Sequence, residues 1–327
     1  AGTPVDLIQN RAIRSGTIAA YLQMRDQDLV QAQTQLDALA AAMAQALSDK
    51  AVPSTAVNPV PQAGFDIDTA DLLAGNTITI NYTDVTTSTQ HTITLVRVDD
   101  PSALPLPNTA TATANDTVFG IDFSGGMASV ITQINTALTG TGMTASNPSG
   151  TTLEILDDGA ANTVNVDALS AVATETSLTA GSAEFPLFTD GAAAYTGAIT
   201  GTGSQLTGLA ARIAVNPLVA ADPSNLIIYQ SGTPAGDSTR PDFIYQQLTA
   251  AAQAFSPTTG IGTVPAPFIG SIPTYLRQFI SQQGEAASSA DNLKQGQEVV
   301  LNSLQQRFND ASGVNVDEEM ANLLTLQ

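Results

Sequence analysis

From Pro273 to Ala311 apolar side chains recur at Leu276, Phe279, Ile280, Ala286, Ala287, Ala290, Leu293, Val300, Leu304, Phe308 and Ala311, and no proline follows Pro273. Steps of three, four and seven place most of them on one stripe of an α-helix. Pro273 suits a first turn, where its missing N–H is no loss. Gly284 and Gly296 weaken the helix by up to ~1 kcal/mol each relative to alanine. An unbroken helix here holds roughly 38 residues and spans roughly 57 Å. A stripe that long calls for an equally long partner.

The sequence offers one near its start. Leu22, Leu29, Leu36 and Met43 recur at every seventh position between Thr17 and Asp49. Ile18, Ala32, Leu39 and Ala46 form a second row, interrupted by Arg25. That spacing is a coiled-coil seam. Ser15 or Thr17 supplies its cap and Pro53 follows its end. The expected architecture is an α+β multidomain chain. Its two ends form a long antiparallel helical stalk, residues 1–52 and 189–327, carrying some β structure. Residues 53–188 form an inserted, mainly-β domain. In the stalk, Leu22, Leu29, Leu36, Leu39 and Met43 pack against Leu293, Val300, Leu304 and Phe308. Truncating Leu36 or Leu304 to alanine then costs ~2–5 kcal/mol.

Between the helices the signal changes. Ahead of the first helix, Val5 to Arg14 has no clean period and reads as a short strand or frayed helix. Pro53, Pro59 and Pro61 read as an extended linker. Asn76 to Tyr82 and His91 to Val98 alternate β-branched and polar residues, the mark of half-buried strands, and read as a hairpin. Met127 to Leu138 reads as an amphipathic helix, and Thr152–Leu156, Thr163–Val166 and Ala171–Leu178 as further strands. Arg240-Pro241-Asp242 opens a helix read through Phe255, and Ser256 to Ser271, rich in proline and glycine, reads as a loop. Gly313 reads as a left-handed helix stop, with Asn315 or Asp317 capping a final helix whose apolar face begins at Met320, Leu323 and Leu324.

The composition narrows the chemistry. With no cysteine there are no disulfides, thiolates or Cys-based metal sites. A net charge of −20 with 10 Lys+Arg argues against nucleic acid and anionic membrane as partners. No apolar run of about 18 residues marks a membrane span. The single histidine, His91, has no imidazole or thiolate to join it and reads as a strand-end residue. Asp157-Asp158-Gly159 lacks the alternating ligands and closing glutamate of a calcium loop and reads as a turn. Gly125-Gly126 and Gly201–Gly203 lack the lysine of a phosphate cradle. These residues mark no catalytic, metal or cofactor site, and the expectation is a non-enzyme without cofactor.

The run Leu293 to Phe308 (LKQGQEVVLNSLQQRF), followed by Ser312 to Leu324 (SGVNVDEEMANLL), resembles the carboxy-terminal signature of bacterial flagellar axial proteins. In particular it is similar to the family of hook-associated protein 1, which joins hook to filament. The helix from Gly16 to Asp49 and the segment Leu209 to Pro217 (LAARIAVNP) fit the same family, and the sparse charge is similar to its α-proteobacterial members. The resemblance implies an extracellular structural protein of the flagellum, secreted by type III export and serving motility. Its partners are copies of itself and neighbouring hook and junction proteins, with an export chaperone as a further one. Met320, Leu323 and Leu324 then lie beside the assembling layer. Both ends read as cuts through a longer chain, so this piece is expected to be a monomer that self-associates once its ends are restored. Flagellin or the second junction protein shares the helical ends. A secreted adhesin and an acid-rich hydrolase are the readings from other classes.

Overall fold

The computed structural model describes residues 16–313 and 316–326. Helix makes up 42% of it and strand 25%, the mixed class expected from the sequence, with a long helix near the carboxy end. The chain divides into two units, one reaching Leu276 and the other starting at Arg277. Val5 to Arg14, Ser15, Val314 and Asn315, which carried expectations of a short element or of caps, lie outside the described residues.

In the first unit, α1 (Gly16–Gln23) runs through a π-helical turn at Met24–Asp28 into α2 (Leu29–Ser48). Then come β1 (Asp49–Val52), β2 (Thr55–Val57), β3 (Gly64–Asp68), β4 (Thr77–Asp84), β5 (Thr89–Val98), β6 (Thr117–Asp122), α3 (Met127–Ala137), β7 (Thr144–Ser146), β8 (Thr152–Leu156) and β9 (Val164–Thr174). These strands make two sheets, β1-β9-β4-β5-β6 and β2-β3-β8-β7. All neighbours are antiparallel except β5 and β6.

One core lies between the sheets and α3. Ile78, Ile80, Ile93, Leu95 and Leu169 come from the first sheet, Ile67, Leu153 and Ile155 from the second, and Val130 and Ile134 from α3. The alternation in β4 marks its inward face. The run Ile93–Val96 in β5 loses that alternation because both faces are covered: Ile93 and Leu95 join this core, while Val96 and Val98 pack with Leu106 and Val118 on the other side. Close approach of β3 to β8 requires Gly64, since a Cβ there would lie 1.9 Å from the Ile155 carbonyl oxygen. The edge strand β7 is closed by a side chain. Asn135 of α3 donates to Ala145 O at 2.8 Å and accepts from Ala145 N at 2.9 Å, standing in for a further strand.

Several local expectations are corrected. The proline-rich segment after Val52 is not a bare linker, because β1 and β2 flank Pro53 as edge strands, where proline's missing donor costs no ladder bond. Thr163–Val166 and Ala171–Leu178 belong to or border one strand, β9, which pairs along β4 with a bulge at Asn81/Tyr82. His91 lies inside β5 rather than at its start, exposed and stacked on Tyr82 with ring centroids 5.2 Å apart.

The chain continues through β10 (Phe188–Asp190), β11 (Ala193–Ala194), β12 (Ile199–Thr200), β13 (Gly203–Ser204), β14 (Ile213–Val215), α4 (Pro217–Ala221), α5 (Thr239–Thr249), β15 (Gln253–Phe255), β16 (Gly262–Thr263) and β17 (Ala266–Gly270). The helix opened by Arg240 stops at Thr249, ahead of β15. The expected loop at 256–271 holds the β16–β17 pair. In the second unit, α6 (Ile272–Ser312), which begins in the first unit, and α7 (Val316–Thr325) match the long and final helices read from the sequence. Gly313 is not left-handed as expected: it lies outside the positive-φ glycines, and its N–H bonds Asn309 O.

Candidate functional site

The α6 stripe leaves a row of large apolar side chains uncovered. Leu293, Val300, Leu304 and Phe308 fall within about 80° of one another at 100° per residue. Each is between 55% and 70% exposed. In α7, Met320, Leu323 and Leu324 are also exposed, and Asp317, Glu318 and Glu319 occupy the first turn, where the helix dipole favours acids. So regular a row of large apolar residues facing water marks an interaction face.

The amino-terminal helix divides differently. Leu29 is 58% and Leu36 38% exposed, whereas Leu22, Leu39 and Met43 are half-buried. The π turn lies between Leu22 and Leu29, and its i→i+5 bonding shifts the phase, so a seven-residue step across it does not return to the same face. What α2 buries is mostly alanine. Ala40, Ala41 and Ala44 pack with Tyr195 and Leu209. Near the exposed end, Leu29, Val30, Gln33, Thr34, Asp37, Leu206 and Thr207 line a shallow groove of about 350 Å³.

Two polar anchors hold α2. Asp37, 4% exposed, accepts from Gly208 N at 2.7 Å, Ala210 N at 2.8 Å and Gln33 Nε2 at 2.8 Å. Three donors satisfy a carboxylate that burial otherwise penalises. The second anchor joins α2 to the root of α6. Tyr275 OH donates to Gln35 O at 3.2 Å, and Gln35 Nε2 donates to Thr259 O at 2.8 Å. The first turn of the last long helix is thus seated on the first one.

Sequence reasoning missed Asp37 and Arg240. Arg240 is 0% exposed and donates to the carbonyls of Leu178, Ser182, Ala183, Asn225 and Ile228. Its guanidinium lies over the ring of Phe185 at 4.4 Å. Burial lowers its pKa, and the charges of Glu184 and Glu175 act against that. Its partners are main-chain oxygens, which no sequence motif announces.

Metal chemistry has no cluster to build on among the described residues. No group of three or more His, Asp or Glu side chains is placed to hold a metal there. His91 bonds Thr89 at 2.9 Å at the surface. Asp157 and Asp158 spend their carboxylates on the turn, accepting from Ala63 N, Gly159 N and Thr163 N. No helix among the described residues is long and apolar enough to cross a membrane. Comparison with family models, curated proteins and solved structures returns no match to this chain.

Proposed function

We propose that the chain is a structural subunit of the bacterial flagellum, of the hook-associated protein 1 type that joins hook to filament. In this reading the helices near its two ends pair as an antiparallel stalk outside the cell, and the β domain between them faces neighbouring subunits. The observation that carries it is the exposed α6 stripe, Leu293, Val300, Leu304 and Phe308. Covering each such side chain contributes ~1.5–3 kcal/mol. The Tyr275–Gln35 bond supports the same reading, because it seats α6 on α2 at the base of the stalk. Another axial protein of the same kind is the nearest alternative.

Cysteine pairing tests the stalk against a background with no native cysteine. An antiparallel register continued from Tyr275–Gln35 brings Gln31 opposite Phe279, each about 40° round its helix from that contact. The double variant Gln31→Cys, Phe279→Cys is expected to oxidise within one chain, at unchanged mass. Disulfides formed only between chains, or none, overturn the stalk.

A further inference from the structure

The apolar row of α6 ends in a groove of about 610 Å³, lined by Leu304, Gln305, Phe308 and Asn309. In the stalk register continued from Tyr275–Gln35, Gly16 falls opposite Lys294. The described part of α1 would then stop about 15 Å short of Leu304, so this end of the row calls for a different cover.

α7 carries a face of matching size. Val316, Met320, Leu323 and Leu324 fall within about 100° of arc on α7, as Leu301, Leu304, Gln305, Phe308 and Ser312 do on α6. The large apolar members of both sets are 55% to 71% exposed, so the two faces stand apart in the structure. In the sequence, Gly313, Val314 and Asn315 separate the helices. That length suits the roughly two to five residues that join antiparallel helices in an αα-hairpin. Glycine is required where the chain leaves α6. The Gly313 N–H bonds Asn309 O at 2.6 Å, and a Cβ on Gly313 would lie 2.5 Å from that oxygen.

Folding back at this link pairs Ser312 with Val316. The same register sets Phe308 opposite Met320, Gln305 opposite Leu323 and Leu304 opposite Leu324. The apolar residues of α7 therefore meet the groove with no shift of register. The flanks agree in charge. Arg307 borders the α6 face on the side that meets Glu319, while the acids Asp310 and Glu318 point away from the contact on opposite outer faces.

We propose that α7 is a strap that folds back onto the last turns of α6 and fills the groove of its own chain. Closed, it takes Leu304 and Phe308 out of reach of other chains, so whatever pairs with that end of the row must first lift α7. The hairpin lies within the second unit and forms whether or not the stalk does.

Paired spin labels on Asn302→Cys and Thr325→Cys, in a chain with no native cysteine, read the strap. Both sites lie outside the contact face. The closed hairpin brings them within about 20 Å, since packed helix axes lie about 8–10 Å apart. A continuous, extended arrangement of α6 and α7 leaves them about 35 Å apart. The short distance is expected, unchanged on dilution with unlabelled chain, and it should move to the long one when Met320→Asp and Leu324→Asp are added. A long distance in the parent, or a short one that those substitutions leave in place, overturns the strap. So does a short distance lost on dilution, which marks the α7 of a second copy. Should the substituted chain fail to fold, the distance and its response to dilution in the parent decide alone.

Discussion

The ring of Tyr275 lies flat on the ring of Phe255, with centroids 3.8 Å apart and planes 6° from parallel. Phe268 tilts against both, at 5.8 Å from Phe255 and 5.9 Å from Tyr275. This cluster fixes the first turn of α6, and the Tyr275 hydroxyl carries the fixation to Gln35 of α2. The two contributions separate by substitution. Tyr275→Phe keeps the stack and loses one hydrogen bond, a cost of ~0.5–1.5 kcal/mol in a urea melt. Tyr275→Ala loses the packing as well, ~3–5 kcal/mol. Equal costs would show that the ring contributes nothing beyond its hydroxyl. Burial pushes the phenol up to about 12, so the folded state holds its proton longer than the unfolded one. The stability that depends on it is whole below about pH 10 and falls as pH rises towards 12.

Arg240 should be the costliest single residue to replace in the first unit. Removing its guanidinium in Arg240→Ala leaves five carbonyl oxygens without that donor and a void beside Phe185. A loss of ~3–5 kcal/mol is expected, enough to unfold a marginal domain. Arg240→Lys keeps the charge but offers three donors from a single point, and should recover less than half of the loss. A lysine variant that melts with the parent would show that charge, not the planar fork, is what the loops require.

How much of this was legible in the sequence follows from where the partners lie. The α6 helix, the β4–β5 hairpin and the apolar face of α3 declare themselves, because their pattern depends on residues close in the chain. The edge strands β1 and β2 are hidden by Pro53 and Pro59, which an edge tolerates and a pattern search does not, and β17, central between β15 and β16, by Pro265 and Pro267 at its start. In α2 the leucine heptads drew attention to one face, while alanines make the buried surface. Alanine marks close approach, and its small side chain carries little periodic signal. Asp37 and Arg240 are satisfied by backbone groups more than a hundred and a few tens of residues away respectively. Nothing in their own neighbourhoods announces burial.

Asn135 offers a narrower test of the β domain. Its side-chain amide makes both hydrogen bonds that a neighbouring strand would make with Ala145. Asn135→Ala therefore strands one donor and one acceptor at the edge of β7. The expected cost is ~1–3 kcal/mol, together with faster exchange of the Ala145 amide and slow aggregation through the freed edge. Asn135→Asp keeps the acceptor and loses the donor, so it should fall between the parent and alanine. Unchanged exchange at Ala145 in the alanine variant would mean that water closes the edge as well as the side chain does.

The stripe on α6 gives the prediction closest to function. A leucine that stays in water costs within ±0.5 kcal/mol when truncated, whereas one covered by a partner helix costs ~2–5 kcal/mol. Leu304→Ala and Phe308→Ala should show the larger cost if the stripe is covered within the stalk, and Val299→Ala, on the same helix but about 100° or more round from each member of the stripe, a smaller one. Leu36→Ala, on α2 and 38% exposed, should share the loss. In the register continued from Tyr275–Gln35, Leu36 falls opposite Thr274, about 45 Å along α6 from Leu304, so a double variant carrying Leu36→Ala and Leu304→Ala should cost close to the two losses added together. Melts that match the parent throughout would place the stripe against some other surface. The mass of each variant in solution then distinguishes a second copy of this chain, which halves the particle on truncation, from a partner that is not in the tube.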